Sequence, residues 1–423
     1  MNKSALALSL SCFLFFANHA NGQWVQTNLP EVGNYVNALA TKGNNVFAAT
    51  DIGGVFLSLN NGASWIPVDS GLPSSTDVSA LAVCGNNIFA GIVSSGIFLS
   101  TDTGASWSRV STGITNDQLS ALMVNGNYIF AGTSESMQGI GRDGFILVPA
   151  QVFLSTNNGL SWTAIDSGLP GRNVRALAVC DSNIFAGTDG GVFRSTNNGA
   201  LWTAADSGLT GSIPLAFAVS RKNIFAGFWG SGVFLSTNNG ASWTAVNNGL
   251  PDSFTVRSFG VSGSNIFIGG DNGEVFISAN NGATWTAANN GLPNNSVMAF
   301  TVSGINIFAG TWGGGVWRRP ISEMVSVLPQ NQKSIPLQTS LRIRTSGYLH
   351  SGVTLNYSIQ SRCFVHLGIY TISGRRVAVI EQGERTPGEY TVRFNKGAIP
   401  SGLYVFRFQA GGYIESNQLM LTK

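Results

Sequence analysis

The amino-acid sequence predicts an all-β protein: a seven-bladed β-propeller closed by its own N-terminal strand, followed by a small Ig-like antiparallel β-sandwich. Three observations support this prediction. A turn motif occurs six times and a short apolar strand motif seven times, both with a spacing near 40 residues, and strand repeats at that spacing are typical of propellers. Only 10% of the 423 residues are charged and 53 are glycine, a composition that favours short strands and turns.

The start of the chain has the features of a secretory signal peptide. Lys3 precedes the apolar run 5–16, and small residues follow that run. We therefore expect residues 1–22 to be removed and Gln23 to begin the mature chain. A lipoprotein interpretation would use Cys12, which lies inside the apolar run behind a poor lipobox. No other stretch is long and apolar enough to predict a transmembrane segment in the mature chain.

The repeated turn motif has the spacing Ser-x-Asx-x-Gly-x-x-Trp. Its glycine supplies the positive φ of a tight reversal, and its Asn or Asp side chain accepts hydrogen bonds from the backbone two or three residues on. We expect the tryptophan ring to cover the turn and its indole N–H to find a local partner. The motif is interpreted as a structural staple rather than an ion site. Its residues are Ser58, Asn60, Gly62, Trp65, Ser100, Asp102, Gly104, Trp107, Ser155, Asn157, Gly159, Trp162, Ser195, Asn197, Gly199, Trp202, Ser236, Asn238, Gly240, Trp243, Ser278, Asn280, Gly282 and Trp285.

The two ends of the repeat region explain why there are seven strand motifs but six turn motifs. Residues 23–30 match the last strand of a repeat, and Trp24 lies one period, 41 residues, before Trp65. Residues 315–319 match the third strand of a repeat, after which the pattern stops. We therefore expect the N-terminal strand to complete the last blade, which would leave no exposed sheet edge in the ring. The propeller is predicted over residues 23–319.

The turn motif resembles the Asp-box, or BNR, repeat of sialidases, sortilin-type receptors, xyloglucanases and photosystem II assembly-factor propellers. The resemblance implies a β-propeller fold. Five copies carry Asn where the family's pattern expects Asp, and only Asp102 keeps the acid. Because Asn can make the same turn bonds, this departure leaves the fold prediction intact.

The chain changes character after the propeller. Residues 320–340 carry no repeat and are predicted to be a linker. Residues 341–423 contain ten Lys and Arg against four Asp and Glu, and five segments that alternate apolar and polar residues. This alternation predicts strands, so we expect a small antiparallel β-sandwich. The basic residues are dispersed, and nucleic acid is not an expected partner.

The tail also resembles the C-terminal sorting domain of the type IX secretion system. The motifs that carry the resemblance follow in the family's order, at 365–376, 387–390, 399–404 and 418–423. The resemblance implies that the type IX secretion machinery is a partner and that the protein is secreted, extracellular or attached to the outer-membrane surface. The alternative is a generic Ig-like module without a sorting role.

The composition of the predicted propeller argues against catalysis. It contains no histidine, which excludes Ser-His-Asp and Cys-His catalysis and histidine-based metal sites there. Sialidases need a tyrosine nucleophile with its glutamate and an Arg-Ile-Pro signature, and this signature is absent. No cofactor, metal or catalytic residue is predicted. The few candidates by residue type are Tyr35, Tyr128, Glu31, Glu135 and Glu274.

A ligand-binding face is better supported. Loops between the second and third strands of all blades should emerge on one face, opposite the turn motifs. Two of these loops carry a tryptophan, a flat platform for a sugar ring or a partner side chain, and the third blade carries an insertion at 134–148. The alternative is that both tryptophans pack against neighbouring blades. The candidate ligand-binding residues are Trp229, Trp312, Phe228, Arg142, Asp143, Arg175, Arg257 and Asp271.

The sequence thus favours a secreted or cell-surface binding module for a carbohydrate or protein ligand, without catalysis. One alternative is a divergent Asp-box glycosidase or lyase, which the missing histidines and the few glutamates disfavour. Another is an assembly or scaffold factor, because the short Asn-Gly boxes and single ring resemble the photosystem II assembly propellers. The signal peptide and sorting domain, however, point to a location outside the cell.

Overall fold

The computed structural model describes residues 22–30, 35–74, 76–140, 144–211, 213–325, 340–344, 353–359, 363–372, 374–386, 388–394, 399–411 and 413–421. The predicted signal peptide, apart from its last residue, and most of the predicted linker lie outside these residues. The chain divides into two compact units, Met1–Pro329 and Gln330–Lys423, which are described one at a time.

The described residues of the first unit form short strands followed by one short helix. Up to the third sheet the strands are β1 (Val25–Gln26), β2 (Val36–Lys42), β3 (Asn45–Thr50), β4 (Val55–Ser58), β5 (Ile66–Pro67), β6 (Val78–Cys84), β7 (Asn87–Ile92), β8 (Gly96–Ser100), β9 (Ser108–Arg109), β10 (Leu119–Asn125), β11 (Tyr128–Thr133), β12 (Ser136–Ile140), β13 (Gly144–Val148), β14 (Val152–Ser155) and β15 (Thr163–Ala164). The remaining elements are β16 (Val174–Cys180), β17 (Asn183–Thr188), β18 (Gly191–Ser195), β19 (Thr203–Ala204), β20 (Pro214–Ser220), β21 (Asn223–Phe228), β22 (Gly232–Ser236), β23 (Thr244–Ala245), β24 (Ser258–Ser262), β25 (Asn265–Gly269), β26 (Val275–Ser278), β27 (Thr286–Ala287), β28 (Val297–Ser303), β29 (Asn306–Thr311), β30 (Gly315–Pro320) and α1 (Ile321–Val325).

Within the described residues these strands form seven four-stranded antiparallel sheets and one two-stranded hairpin. The sheets, numbered first to seventh along the chain, are β2-β3-β4-β5, β6-β7-β8-β9, β10-β11-β14-β15, β16-β17-β18-β19, β20-β21-β22-β23, β24-β25-β26-β27 and β28-β29-β30-β1. The first strand of each sheet contacts the first strand of the next, and β28 contacts β2. The sheets therefore follow one another in a closed cycle, with the hairpin β12–β13 inserted in the third.

The second strand of each sheet forms most of the core. It reads Asn-Ile-Phe-Ala-Gly with small variations, and every residue after the Asn is buried in six of the seven sheets. A continuous apolar run is what a strand covered on both faces requires. The phenylalanine at its centre is buried to 1% exposure or less in all seven sheets, as Phe47, Phe89, Phe130, Phe185, Phe225, Phe267 and Phe308.

The turn motifs join the third and fourth strands by a repeated hydrogen-bond pattern. In the fifth sheet the Ser236 hydroxyl donates to Asn238 Oδ1 at 2.9 Å and accepts from the Gly240 N–H at 2.8 Å. Asn238 Oδ1 also accepts from the Ser242 N–H at 3.0 Å. The acceptor therefore reaches four residues on, not the two or three that were predicted. The residue before the glycine, Asn239, is itself left-handed with φ 55°, so the turn uses two consecutive positive-φ residues, as type I′ reversals do.

The one aspartate among these motifs is fully engaged inside its turn. Asp102 accepts hydrogen bonds from the Ser106 side chain and backbone and from the Ser100 hydroxyl. These bonds stabilise the ionised form and lower the pKa of Asp102 to about 2, with the Ser106 hydroxyl as the largest cause.

Each motif tryptophan links its sheet to the preceding one. The Trp243 indole N–H donates to the Ala205 carbonyl at 2.8 Å, and the Trp107 indole to the Val68 carbonyl at 2.7 Å. These carbonyls follow the last strand of the preceding sheet. The expectation of a local partner was wrong, because the partners lie 37 to 52 residues earlier in the chain. One ring thus fills the space between two sheets and satisfies its own N–H there.

The N-terminal strand completes the seventh sheet. Val25 pairs with Arg318 and Gln26 with Trp317, which is the pairing that the sequence predicted for the two ends of the repeat region. The Trp24 ring is 3% exposed, and its indole donates to the Ala288 carbonyl at 2.8 Å. Trp24 therefore takes the place of a motif tryptophan between the sixth and seventh sheets, as the six motif tryptophans do between the other neighbouring sheets.

The segment just after this sheet is structured, although the sequence suggested a linker from residue 320. Pro320 ends β30, and the Ile321 N–H donates to the Ile305 carbonyl at 2.9 Å. In α1, Met324 is fully buried in the same apolar cluster as Trp24. The helix covers the seam where the two ends of the unit meet.

The described residues of the second unit form seven strands in two antiparallel sheets. They are β31 (Ser340–Arg344), β32 (Val353–Ile359), β33 (Cys363–Thr371), β34 (Arg376–Arg385), β35 (Gly388–Phe394), β36 (Gly402–Ala410) and β37 (Tyr413–Leu421). The sheet orders are β31-β32-β35 and β34-β33-β36-β37. Side chains from both sheets share one apolar cluster, including Leu355, Leu367 and Phe406. Among the described residues of the chain, no helix is long and apolar enough to cross a membrane.

We predict that the closing tryptophan is a major source of stability for the first unit. Trp24→Ala should lower the free energy of unfolding by about 3–5 kcal/mol, because it leaves a cavity between the sixth and seventh sheets. Trp24→Phe keeps most of the ring and should cost about 1–2 kcal/mol. Denaturant titration of the full chain measures both effects. Trp229→Ala, at a half-exposed tryptophan, is the control and should change stability by about 1 kcal/mol or less. Equal effects at both positions would contradict this assignment.

Candidate functional site

The end of the ring opposite the turn motifs carries the candidate site. We call it the loop face: the loops that follow the second strand of each sheet together with those that enter the first strand. Around this face, the residue that directly follows the buried part of the second strand varies from sheet to sheet. It is Asp51, Val93, Ser134, Asp189, Trp229, Asp271 and Trp312 in the first to seventh sheets.

A second variable position lies beside it, at the start of each first strand. In six sheets a β-bulge leaves the second residue of that strand without a cross-strand partner. Bulges redirect side chains and are frequent next to functional sites. These residues, with the equivalent one of the sixth sheet, are Asn37, Ser79, Ser120, Arg175, Leu215, Arg257 and Met298.

Two of the bulge residues have a structural role. The Ser79 hydroxyl donates to the Leu119 carbonyl and the Ser120 hydroxyl to the Val174 carbonyl, both at 2.6 Å. Each bond therefore ties one sheet to the first strand of the next, at the second and third sheets.

Arg257 joins a tryptophan and a carboxylate on the fifth and sixth sheets. Its guanidinium carbon lies 4.7 Å from the centre of the Trp229 ring, and its Nε donates to Asp271 Oδ1 at 2.9 Å. The Ser296 hydroxyl donates to the same oxygen at 2.9 Å. Trp229 remains 52% exposed. Beside them, burial and then the charge of Asp271 raise the pKa of Glu274.

The second loop tryptophan forms an aromatic corner with a tyrosine of the first sheet. Trp312 and Tyr35 pair as an isolated β-bridge, and their rings meet edge to face with centroids 5.3 Å apart and an interplanar angle of 79°. The Asn295 amide donates to the Trp312 carbonyl at 2.8 Å. Trp312 is 44% and Tyr35 42% exposed. Both loop tryptophans therefore contact the next sheet and still present surface to solvent.

Two aspartates follow this corner on the first and second sheets. The Asp51 N–H donates to the Tyr35 carbonyl at 3.0 Å, which places the two residues side by side. Asp77 accepts a hydrogen bond from the Asn37 amide at 2.9 Å. Burial raises the pKa of Asp77 to about 6, with a further contribution from the negative charge of Asp51. Trp229, Arg257, Asp271, Trp312, Tyr35, Asn37, Asp51 and Asp77 thus lie along the fifth, sixth, seventh, first and second sheets, and we call this set the polar-aromatic arc.

Arg175 is engaged elsewhere on the loop face. On the fourth sheet its Nε and an Nη donate to the two carboxylate oxygens of Asp189 at 2.7 and 3.0 Å, and Asn173 donates to the same carboxylate. The hydrogen bond from Arg175 is the main reason that the pKa of Asp189 is lowered. Arg175 and Asp189 both belong to the fourth sheet, whereas the two loop tryptophans belong to the fifth and seventh sheets.

Phe228 does not belong to the surface. The sequence placed it with Trp229 on the binding face, but Phe228 is fully buried and packs edge to face on Phe234, with centroids 5.2 Å apart. It is the last residue of its strand, and the Gly211 backbone packs directly against its ring. Its side chain is therefore core, and it is withdrawn as a ligand contact.

The insertion in the third sheet forms the hairpin β12–β13, whose tip residues Arg142 and Asp143 lie outside the described residues. The sequence analysis singled out those two charged residues and missed the apolar side chains of the two strands. Met137, Phe145 and Leu147 are 67%, 69% and 59% exposed. They share one face of the hairpin, because Met137 pairs with Leu147 and Phe145 lies two residues away. The signal available was the run of four consecutive apolar residues at 145–148, within an insertion that the other repeats lack.

Tyr35, Asn37, Asp51 and Asp77 were also missed as site residues. They lie outside the recurring motifs, in the variable positions between them. Aligning the repeats on the buried valine that follows Tyr35 and Asp77 would have found them, since that alignment places both in the same position of neighbouring sheets. Within the part of the chain that the structure describes, no three His, Cys, Asp or Glu side chains lie together as metal ligands.

Comparison with known proteins identifies the architecture. No protein-family model and no curated protein matches the chain. YCF48 from Cyanidioschyzon merolae is 14% identical with a TM-score of 0.54, and the match covers 71% of this chain and 99% of that one. A YCF48 structure bound to D1 peptide is 13% identical with a TM-score of 0.56, and the match covers 71% of this chain and 96% of that one. The GH74 xyloglucanase from Xanthomonas campestris is 12% identical with a TM-score of 0.54, over 93% and 75%. The extracellular domain of the putative hybrid two component system BT4673 from B. thetaiotaomicron is 13% identical with a TM-score of 0.56, and the match covers 93% of this chain and 52% of that one. The chain therefore contains a β-propeller.

We predict that Asp77 makes stability depend on pH. Its folded pKa of about 6 lies above the value of about 3.9 of an unfolded aspartate. Its contribution is therefore fully present below about pH 4 and is lost as the pH rises through about 6. Asp77→Asn should remove this loss and stabilise the protein at pH 7–8 by about 1 kcal/mol or less, because Asp77 is only half-buried.

Thermal unfolding of the full chain between pH 4 and pH 8 checks this prediction. The gain of Asp77→Asn over the natural protein should grow with pH. Asp51→Asn should produce part of the same change, because it removes the neighbouring charge but not the burial. A difference that is constant across this pH range would mean that the hydrogen bond from Asn37, rather than the charge, decides the effect.

Proposed function

We propose that this protein is an exported, non-catalytic binding module whose loop face holds a carbohydrate or protein ligand. We further infer that the seven sheets of the first unit are the blades of a seven-bladed propeller, and that the second unit is an Ig-like sorting domain. The observation that carries the binding function is the pair Trp229 and Trp312. They occupy the same repeat position, remain about half exposed, and lie on one face among carboxylates.

The chemistry of this face supports binding. An exposed tryptophan offers a large apolar surface at low conformational cost, which is why such rings serve as contact platforms. Polar groups that are fixed by neighbours, such as Asp271 between Arg257 and Ser296, add orientation. The segment 23–319 contains no histidine, which supports a binding role rather than acid–base chemistry by that residue.

The structural neighbours agree with this proposal at a coarse level. They include a xyloglucanase, a propeller bound to a peptide and an extracellular domain. The propeller ring is therefore compatible with a glycan or a peptide as ligand. Which of the two binds depends on the side chains of the loop face and not on the fold.

We propose that residues 341–423 direct export through a type IX secretion system. The motifs at 365–376, 399–404 and 418–423 support this assignment. The second unit has its own apolar cluster, as expected of a separately folded sorting domain. Together with residues 1–22 as a signal peptide, this gives a secreted protein or one attached to the outer-membrane surface.

The double variant Trp229→Ala, Trp312→Ala tests the binding function. The full chain is screened on a glycan array and against surface proteins, and hydrolysis is followed on every hit. We expect the double variant to bind a confirmed ligand at least about tenfold more weakly, because truncating aromatic anchors typically costs 1–2 kcal/mol or more each. Trp24→Phe is the matched control with an altered buried tryptophan. Unchanged binding in the double variant would exclude the loop face.

Deletion of residues 341–423 tests the export route. In a host with a type IX secretion system, the deleted protein should remain in the periplasm, and a fluorescent reporter fused to 341–423 behind a signal peptide should reach the medium or the surface. Fractionation and immunoblotting measure both. Export of the deleted protein at the natural level would refute the sorting role and leave the binding function untouched.

A further inference from the structure

The polar-aromatic arc contains two subsites that are equivalent by the internal repeat. The first, which we call the filled subsite, consists of Trp229, Arg257 and Asp271. The second, the open subsite, consists of Trp312, Asn37 and Asp51 at the same three repeat positions. In each subsite the tryptophan begins the loop after the second strand of one sheet, and the other two residues belong to the next sheet.

The packing around both subsites confirms that these positions correspond. The buried Val256 precedes Arg257, and the buried Val36 precedes Asn37. A Cβ on Gly227 of the fifth sheet would lie 2.5 Å from Val256 Cγ1, and one on Gly310 of the seventh would lie 2.6 Å from Val36 Cγ1. The two tryptophans and the two aspartates are therefore presented by the same backbone framework.

The filled subsite shows what this framework holds. The Arg257 guanidinium lies over the Trp229 ring at 4.7 Å and bonds Asp271 at 2.9 Å. A cation over an indole face is attracted by the ring quadrupole, and a guanidinium also stacks through its flat faces. The protein thus supplies its own cation to one of its two tryptophan–aspartate pairs.

The open subsite keeps the ring and the carboxylate but lacks this cation. Asn37 replaces the arginine, and its amide donates to Asp77. Tyr35 adds a second aromatic wall at 79° to Trp312, and Asp77 adds a second carboxylate next to Asp51. Within the described residues no Lys, Arg or His side chain forms an ion pair with either aspartate.

We propose that the open subsite binds the guanidinium of an arginine side chain presented by a partner peptide, in the pose that Arg257 adopts in the filled subsite. The inference rests on the proposed binding function of the loop face and names its ligand. The guanidinium stacks on Trp312, its N–H groups donate to Asp51 and Asp77, and Tyr35 closes one side. Planarity and a fork of donors make arginine a better match than lysine for a ring flanked by carboxylates.

A matched pair of small probes tests the charge requirement. N-acetyl-arginine methylamide and N-acetyl-citrulline methylamide have nearly the same shape, but only the first is a cation. The full chain is titrated with each, and the Trp312 indole resonance, assigned by its loss in Trp312→Phe, is followed by two-dimensional NMR. We expect saturation with a dissociation constant on the order of millimolar for the arginine probe, and at least about tenfold weaker binding of the citrulline probe.

Two reciprocal substitutions test the repeat argument. Asn37→Arg should fill the open subsite from within and weaken binding of the arginine probe at least about tenfold. Arg257→Asn should empty the filled subsite, so that the Trp229 indole resonance also responds to the probe. Asp51→Asn should weaken binding, while Asp102→Asn, the same change in a turn motif on the opposite face, should leave it unchanged. Thermal unfolding of each variant verifies its fold.

The proposal would be overturned by the absence of saturable binding of the arginine probe, by equal binding of the arginine and citrulline probes, by tighter binding of the equivalent lysine probe, or by full binding to Asn37→Arg. If that variant fails to fold, unchanged binding in Asp51→Asn serves as the refuting result. Failure here differs from failure of the binding function. Loss of a confirmed ligand in the Trp229→Ala, Trp312→Ala variant, without binding of the arginine probe, would keep the binding face and refute the arginine ligand.

Discussion

The hydrogen bond from a buried tryptophan indole to the preceding sheet is the interaction on which the ring depends. A sheet of four short strands leaves apolar faces that must be covered by other sheets. The indole ring fills this gap, and its N–H makes the contact directional, as between Trp243 and the Ala205 carbonyl. Six turn motifs and Trp24 supply one such joint for each of the seven sheets.

These joints use buried tryptophan rings and, in six of the seven, a backbone carbonyl of the preceding sheet, so they place no demand on the side chains of the loop face. At the loop face, the backbone positions are held by the first strand and the buried second strand, while their side chains vary around the ring. The same position holds tryptophan at Trp229 and Trp312 and a carboxylate at Asp51, Asp189 and Asp271. A regular backbone with variable loop side chains can place distinctive side chains together on one arc of the ring.

Much of the ring could be predicted from sequence because each repeat consists of short motifs that recur at a nearly constant spacing. The strand order, the turn motif and the pairing of residues 23–30 with 315–319 all follow from spacing. The indole partners could not be read in this way, since they depend on contact between sheets. For the same reason Phe228 was placed at the surface, although its position at the strand end makes it core. Asp77 was not singled out and Tyr35 was considered only as a candidate nucleophile, because the place of both in the arc depends on neighbours on other sheets.

The closing strand has a consequence for the order of assembly. Trp24 and its partner Ala288 are separated by 264 residues, and forming so distant a contact carries a large chain-entropy cost and slows folding. The first six sheets need only neighbouring segments, so they can accumulate while synthesis continues. The disc is completed only when the final strand has emerged to meet the first. Until then β1 has no strand to pair with and the Trp24 indole has no acceptor, so a partial chain lacks both contacts that close the ring.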